Sequence, residues 1–261
     1  MSHNAPHRAS AMALLGRFIL NDYKLIRRDR FLVMMAAMGL LIAVLMRYLL
    51  PWANVYLADV QLLPGDATDN HLSHYYPMLV SYIGLLQSGL LAGAIFGFVF
   101  LDEKDGHTLE AIRVTPVPFS SFMAARLIVP TVISWVLSII MIVIMGEALI
   151  SFWQLLIIAA SASLFAPTVV LFYAIAADNK VQGFAMAKFV AIAGWIVIGA
   201  WFLPEPYQWL CALFPPFLAH KAYWMAEAGM NGWWKILVAS FLYQSAVILL
   251  MHRYFLSGLQ K

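Results

Sequence analysis

Few side chains in this sequence are placed to do chemistry on their own. His71 and His74 are three residues apart and close to Asp66 and Asp69, a group that could hold a metal ion, although a solvated polar loop is the commoner outcome. The single cysteine, Cys211, excludes a thiolate cluster and an internal disulfide. No Ser/His/Asp or paired-carboxylate arrangement lies within an apolar run. We therefore expect no catalytic residue and no metal site.

Nucleotide chemistry is also not expected. A phosphate-binding loop needs glycine before and serine or threonine after its lysine, and none of the seven lysines has either neighbour. This chain is not expected to hydrolyse ATP or to carry a cofactor.

Two glutamines and a row of glycines stand out within apolar runs. Gln87 and Gln244 could line a substrate path or form hydrogen bonds between helices. Gly89, Gly93 and Gly97 are spaced by four, which places them on one helical face where another helix can approach closely. The spacing predicts tight helix packing, either within the chain or against a second copy.

The most polar interior stretch is Leu101–Arg126, which carries both signs of charge between two strongly apolar runs. It is expected to connect two membrane spans, with its acidic residues near a helix start, Gly106 permitting a turn and Arg126 at the lipid boundary. A plain solvated connector is the alternative interpretation.

Within this stretch, the pattern predicts a helix of about two turns over His107–Val114, because Pro116 disfavours helical backbone at Thr115. Its apolar pair Leu109 and Ile112 would lie beside the charged pair Glu110 and Arg113. Such a helix is suited to docking on a partner outside the membrane.

These residues must be positioned by membrane-spanning helices. The chain has 261 residues and is 63% hydrophobic and 11% charged, against roughly 45–50% and about 25% in a soluble domain. No cleavable signal peptide is expected, so the first apolar run remains a span. Six runs have about the 20 residues or more that a span needs: Phe31–Leu50, Pro77–Leu101, Leu127–Gly146, Phe152–Ala177, Val181–Leu203 and Trp233–Met251. Pro130 and Pro167 are expected to kink the third and fourth.

The distribution of Lys and Arg predicts the orientation. Residues 1–30 carry six, 102–126 three, 178–188 two and the C-terminal tail two, which leaves Arg47, Lys221 and Lys235 for the other side. Because cytoplasmic segments are enriched in these residues, both termini are predicted to be cytoplasmic.

The sequence thus predicts an all-α polytopic membrane protein. Residues 1–30 form a cytoplasmic tail and an amphipathic interfacial helix, 31–251 a six-span domain with a cytoplasmic loop at 102–126, and 252–261 a tail. The outer segment 204–232 contains an apolar core, Trp209–Ala219, that is too short to span, so a re-entrant segment folded against protein is expected.

The central loop resembles the E-x-x-G-T-L-E and T-P pattern of permease subunits of type-2 ABC exporters. The matching residues are Glu103, Gly106, Thr108, Leu109, Glu110, Thr115 and Pro116, with His107 inserted between the glycine and the threonine. The N-terminal helix, the six spans and the proline-led segment around Phe214–Pro216 agree loosely with the same family.

The resemblance implies a membrane subunit that pairs with a second copy or a sister permease and sits on two cytoplasmic ATPase subunits. ATP and Mg would be bound by those partners. The residues implied to couple the permease to the ATPase are Glu103, Gly106, His107, Thr108, Leu109, Glu110, Ile112, Arg113, Thr115 and Pro116.

The resulting hypothesis is an exporter permease in a bacterial cytoplasmic membrane that moves an amphiphilic drug, peptide or lipid-like molecule. The alternatives are an ATP-independent secondary carrier or channel and a membrane subunit without a transport path. A secondary carrier would be expected to show ionisable residues deep in several spans and internal repeat symmetry. Neither is visible in the sequence.

Overall fold

The computed structural model describes residues 24, 27–60, 72–106 and 119–258, apart from the side chains of 119–121. All secondary structure in these residues is helical, which confirms the predicted all-α class. The helices are α1 Arg30–Asp59, α2 Tyr76–Ser81, α3 Gln87–Asp105, α4 Phe119–Met145, α5 Phe152–Ala162, α6 Phe165–Ala176, α7 Lys180–Trp201, α8 Glu205–Gln208, α9 Phe217–Glu227 and α10 Trp233–Gly258.

Six helical segments of the described chain are long and apolar enough to cross a membrane, as predicted. They are Arg30–Asp59, Leu72–Asp105, Phe122–Met145, Phe152–Ala176, Lys180–Trp201 and Trp233–Gly258. Some helices extend beyond the apolar runs; the first, for example, continues to Asp59. The predicted N-terminal amphipathic helix lies mostly outside the described residues.

The second and fourth spans form the centre of the molecule. Within the most apolar part of each, 83% and 72% of the residues are buried, against values between 17% and 33% for the other four spans. Helix α3 packs most extensively on α6 and α4, and α1 and α7 also contact it. Any movement of α3 must therefore be accommodated by most of the bundle.

The glycine row of α3 is where this central pair approaches most closely. A Cβ atom added at Gly93 would lie 2.6 Å from the Cβ of Val169 and 2.7 Å from the carbonyl oxygen of Ala166, both on α6. One added at Gly97 would lie 2.5 Å from the Tyr173 ring. The glycine face that the sequence could not assign to a partner therefore packs against α6 of the same chain.

The fourth span is broken, three to four residues before the proline that was expected to kink it. Helix α5 ends at Ala162 and α6 begins at Phe165, so that Pro167 occupies the first turn of α6. Proline is tolerated there because its missing N–H has no helical partner to lose. Helix α4, in contrast, continues as one helix through Pro130.

The second span contains a π-helical turn, Tyr82–Leu86, that the sequence did not reveal. The N–H of Gln87 donates to the carbonyl of Tyr82, five residues back. Beside this turn, Trp224 of α9 donates from Nε1 to the hydroxyl oxygen of Ser81 at 2.9 Å. Because π turns insert one residue into a helix, they rotate the face that follows and are common at functional sites.

The apolar core Trp209–Ala219, which was predicted as one unit, is divided between two elements. Trp209–Leu213 forms a 3-10 turn whose large apolar side chains are mostly exposed, whereas α9, Phe217–Glu227, is largely buried. The division falls at Phe214, which is extended, as residues before proline commonly are. Lys221 fastens α9 to α8 through Glu205 and Gln208, at 3.1 and 2.7 Å. Insertion of this segment into the membrane stays a prediction.

The close approach of α3 and α6 gives a stability test. We expect Gly93→Ala to lower the free energy of unfolding by about 1–3 kcal/mol, because the added methyl group meets backbone that cannot rotate away. In the matched control Gly199→Ala, on helix α7, a Cβ meets nothing within 4 Å. That variant should be unchanged or more stable by up to about 1 kcal/mol. Equal unfolding midpoints in detergent for the two variants would contradict the tight contact.

Candidate functional site: a charged junction at the end of the second span

Four consecutive charged residues end the second span, Asp102, Glu103, Lys104 and Asp105, and the first three form ion pairs with other parts of the chain. On an α-helix, successive side chains point about 100° apart, so three neighbours in sequence reach three directions. Each of them contacts a different element of the bundle. We call these residues and their partners the junction.

Glu103 forms a buried ion pair with Arg126 of α4. Arg126 Nε donates to Glu103 Oε2 at 2.9 Å, and Nη2 donates to Oε1, which gives the two-pronged arrangement typical of guanidinium and carboxylate. The side chain of Arg126 is 1% exposed and that of Glu103 is 10% exposed. The Arg126 guanidinium also lies over the Phe122 ring, 5.2 Å from its centroid. This pair joins the two helices that border the central loop.

The burial of Arg126 overturns the expectation that it sits at the lipid boundary. A guanidinium can leave water when a carboxylate leaves with it and satisfies its donors. The positive-residue counts could not show this, because they treat every Lys and Arg alike.

Lys104 fixes the C-terminal end of α6. Its ammonium donates to the carbonyls of Ala177 at 2.9 Å and Ala174 at 3.3 Å, and to Asp178 Oδ1 at 2.8 Å. A cation is favoured at this end of a helix, where the last carbonyls have no helical partner. Hydrogen bonding and charge from Lys104 lower the pKa of Asp178 below its ordinary value.

Asp102 extends the junction to α7 and α1. Lys180, the first residue of α7, lies 2.8 Å from Asp102 Oδ2 and 3.3 Å from Asp29 Oδ2. Asp29 also caps α1 by accepting from the N–H of Phe31 at 2.9 Å and of Leu32 at 3.4 Å. Partial burial acts to raise the pKa of Asp29, but the Leu32 N–H, Lys180 and the Phe31 N–H bring it below its ordinary value.

The junction therefore connects one end of α3 with α1, α4, α6 and α7. The contacts involve the helix ends on either side of the central loop, the end of α6 and the starts of α7 and α1. A displacement of that loop would be transmitted to four helices through charged contacts that fix distance and direction.

Of the ten residues implied to couple the permease to an ATPase, the structure describes two. Glu103 takes part in the buried pair, and Gly106 ends α3 by donating its N–H to the carbonyl of Asp102 at 2.9 Å. With φ at −78°, Gly106 adopts a backbone that any residue can adopt, so the turn does not require glycine. His107, Thr108, Leu109, Glu110, Ile112, Arg113, Thr115 and Pro116 lie outside the described residues.

The two glutamines lie in different surroundings. Gln244 is fully buried, and its Nε2 donates to the Ser161 carbonyl and to the Ser240 hydroxyl, both at 3.0 Å. It thus links α10 to α5. Gln87 is half-buried at the start of α3.

Of the outer-loop group considered for a metal, only His74 is described. Its ring lies edge-on to Tyr75 and near Trp201, at centroid distances of 5.2 and 6.1 Å. Within the described part of the chain, no three His, Cys, Asp or Glu side chains cluster closely enough to hold a metal ion.

Six apolar helices, a densely packed central pair and a charged junction at one end of α3 are the features of an integral membrane protein. The chain belongs to the family described as "Fluoroquinolones export permease protein Rv2686c-like", whose model matches residues 22–252. This membership confirms the resemblance to exporter permeases that the central loop suggested.

Two curated relatives come from Mycobacterium tuberculosis. They are the fluoroquinolones export permease protein MT2760 of strain CDC 1551 / Oshkosh and the fluoroquinolones export permease protein Rv2686c of strain ATCC 25618 / H37Rv. Each is 32% identical over 252 residues, which covers 94% of this chain and 94% of the relative. The similarity thus extends over all six spans and the loop between the second and third.

The buried pair gives a second stability test. We expect Arg126→Met to lower the free energy of unfolding by about 3–5 kcal/mol, because the Glu103 carboxylate stays buried without this guanidinium. The double variant Glu103→Leu/Arg126→Met should recover most of the loss, since no charge then has to be desolvated.

Arg253→Met is the matched control, because this arginine is exposed near the end of α10 and should change stability by no more than about 0.5 kcal/mol. Unfolding midpoints in detergent would decide the matter. An Arg126→Met variant as stable as the Arg253→Met variant would show that the pair contributes nothing to the fold.

Proposed function

We propose that this chain is the membrane-spanning subunit of an ATP-driven exporter in a bacterial cytoplasmic membrane, with both termini in the cytoplasm. It pairs with a second copy or a sister permease and binds two cytoplasmic ATPase subunits, which themselves bind ATP and Mg. Its cargo is an amphiphilic molecule of the fluoroquinolone kind, moved out of the cytoplasm or the inner leaflet.

The observation that carries this proposal is the junction. An exporter driven from outside the membrane needs a loop that receives force and contacts that pass it to the spans. The described residues on both sides of segment 107–118 supply those contacts, through Glu103 and Arg126 to α4 and through Asp102 and Lys180 to α7 and α1. Closure of the ATPase pair would then favour one arrangement of the helices over another.

The cargo class draws support from the names of the relatives and from Gln87, a partly exposed polar side chain in the second span. Gln87 is half-buried, so its exposed part can contact a molecule that passes along α3. Gln244 is committed to Ser161 and Ser240 and serves better as an interhelical link.

The direct test uses inside-out membrane vesicles that contain this chain and its co-purifying partner. A fluoroquinolone should accumulate in the vesicles only when ATP is supplied, and a stoichiometric ATPase should co-purify with the tagged chain in mild detergent. Accumulation that follows an ion gradient and ignores ATP would instead favour the secondary carrier. A chain that co-purifies without an ATPase and transports nothing would favour a structural subunit.

The coupling segment can be tested by mutation. Leu109→Asp and Glu110→Ala should reduce ATP-dependent accumulation at least tenfold, a loss of about 1.4 kcal/mol in coupling, because they alter the apolar and acidic parts of the predicted docking helix. Membrane insertion and pairing with the second permease should be unchanged.

Asp59→Ala removes an exposed acid at the opposite end of the first span and is the matched control. If Leu109→Asp and Glu110→Ala both retain ATPase binding and transport like Asp59→Ala, segment 107–116 is not the docking element.

A further inference from the structure

A small cavity lies beside the junction, where α1 and α7 meet over α3. Its volume is about 220 Å³, and its lining residues are Asp29, Phe31, Leu32, Phe98, Lys180 and Phe184. Three aromatic rings and an oppositely charged pair thus surround one space.

The aromatic rings form an apolar corner. Phe98 and Phe184 have ring centroids 4.7 Å apart, and Phe31 lies 5.2 Å from Phe184 and 5.9 Å from Phe98, edge-on to both. Phe98 is buried, whereas Phe31 and Phe184 are 36% and 46% exposed, so a ligand can reach them from outside. Rings that meet at such angles present both faces and edges, which suits contact with another aromatic ring.

The polar side of the cavity is formed by one carboxylate and one ammonium, those of Asp29 and Lys180. Lys180 is shared between Asp102 at 2.8 Å and Asp29 at 3.3 Å, so two carboxylates face one ammonium. Asp29 Oδ2 has the longer of these contacts, and Asp29 lines the same cavity as the aromatic rings. A cation that approaches would gain from the carboxylate and from the faces of the neighbouring rings.

We infer that this cavity binds the ring and the protonated amine of an aromatic amphiphile, with the amine at Asp29 and the ring among Phe31, Phe98 and Phe184. The cavity is smaller than the roughly 300–1,000 Å³ of a complete drug site, so it holds one ring system while the rest of the ligand stays outside. The inference rests on the proposed export function and names the chemical class of the cargo and a site where the cargo first binds.

The test measures equilibrium binding to the full-length chain in lipid nanodiscs, without its ATPase. The probes are a piperazinyl fluoroquinolone and the same compound acetylated on the piperazine nitrogen, which removes the basic amine and preserves the ring system. The wild-type chain should bind the amine form about tenfold more tightly than the acetylated form.

Two variants separate the contributions of ring and charge. Phe184→Leu should weaken both probes about tenfold and keep the preference for the amine. Asp29→Asn should abolish the preference for the amine form, while asparagine still caps α1. The matched controls are Phe189→Leu, an exposed ring on the same helix, and Asp59→Asn, an exposed acid at the far end of α1. Both controls should bind like the wild type.

The inference is overturned if Phe184→Leu and Asp29→Asn bind both probes like their controls, or if the wild type does not distinguish the probes. Unfolding midpoints recorded on the same samples identify a variant that has lost its fold. If one variant is unfolded, the affinities of the other variant for the two probes decide whether the inference holds. Failure of the export proposal looks different, since binding would follow these predictions while ATP-dependent accumulation in vesicles is absent.

Discussion

The buried pair of Glu103 and Arg126 is the interaction on which the loop end of the bundle depends. Removing two charges from water is costly, and the attraction between them compensates only when both are held in good geometry. The two-pronged contact therefore fixes the distance between α3 and α4 at the points where the central loop leaves and re-enters the bundle. The pair thus holds together the two helices that border the central loop.

The same end of α3 can reach α6 because the glycine face of α3 lets the two helices pack closely. Small residues let α6 approach to within backbone contact at Gly93, which places Ala174 and Ala177 close enough for Lys104 to donate to their carbonyls. A bulkier second span would separate these two helices and break that contact. The contact made by Lys104 at the end of α3 thus depends on the glycine row within the same helix.

The sequence predicted most of the architecture because the bilayer imposes simple rules on composition and length. Six apolar runs translate directly into six spans, and the glycine spacing translates into a close helix contact. Prediction from the sequence failed where the position of a side chain depends on a partner distant in the chain. Arg126 was assigned to the lipid boundary because nothing local shows that Glu103, 23 residues earlier, would accompany it into the core.

The π turn at Tyr82–Leu86 and the separation of α5 from α6 were missed for a similar reason. Backbone irregularities of this kind are settled by packing, here of Gly84 against Ile142 and of Trp224 against Ser81, and not by local propensity. The roles of Lys104 and Lys180 had a weak signal, since each stands at a span end opposite acids on another segment. Charge counting along the chain, however, does not pair residues across it.

The proposed cargo cavity and the junction share two residues, Asp29 and Lys180, and this has a thermodynamic consequence. A cation that binds Asp29 competes with Lys180, whose remaining partner is Asp102 at the end of α3. Occupancy of the cavity would therefore alter the contact that joins α1 and α7 to the loop. Because coupling between two sites is reciprocal, a loop position that strengthens the Lys180–Asp102 contact at the expense of Asp29 would also favour cargo binding. In the proposed exporter, this shared lysine would thus couple cargo binding to the position of the loop.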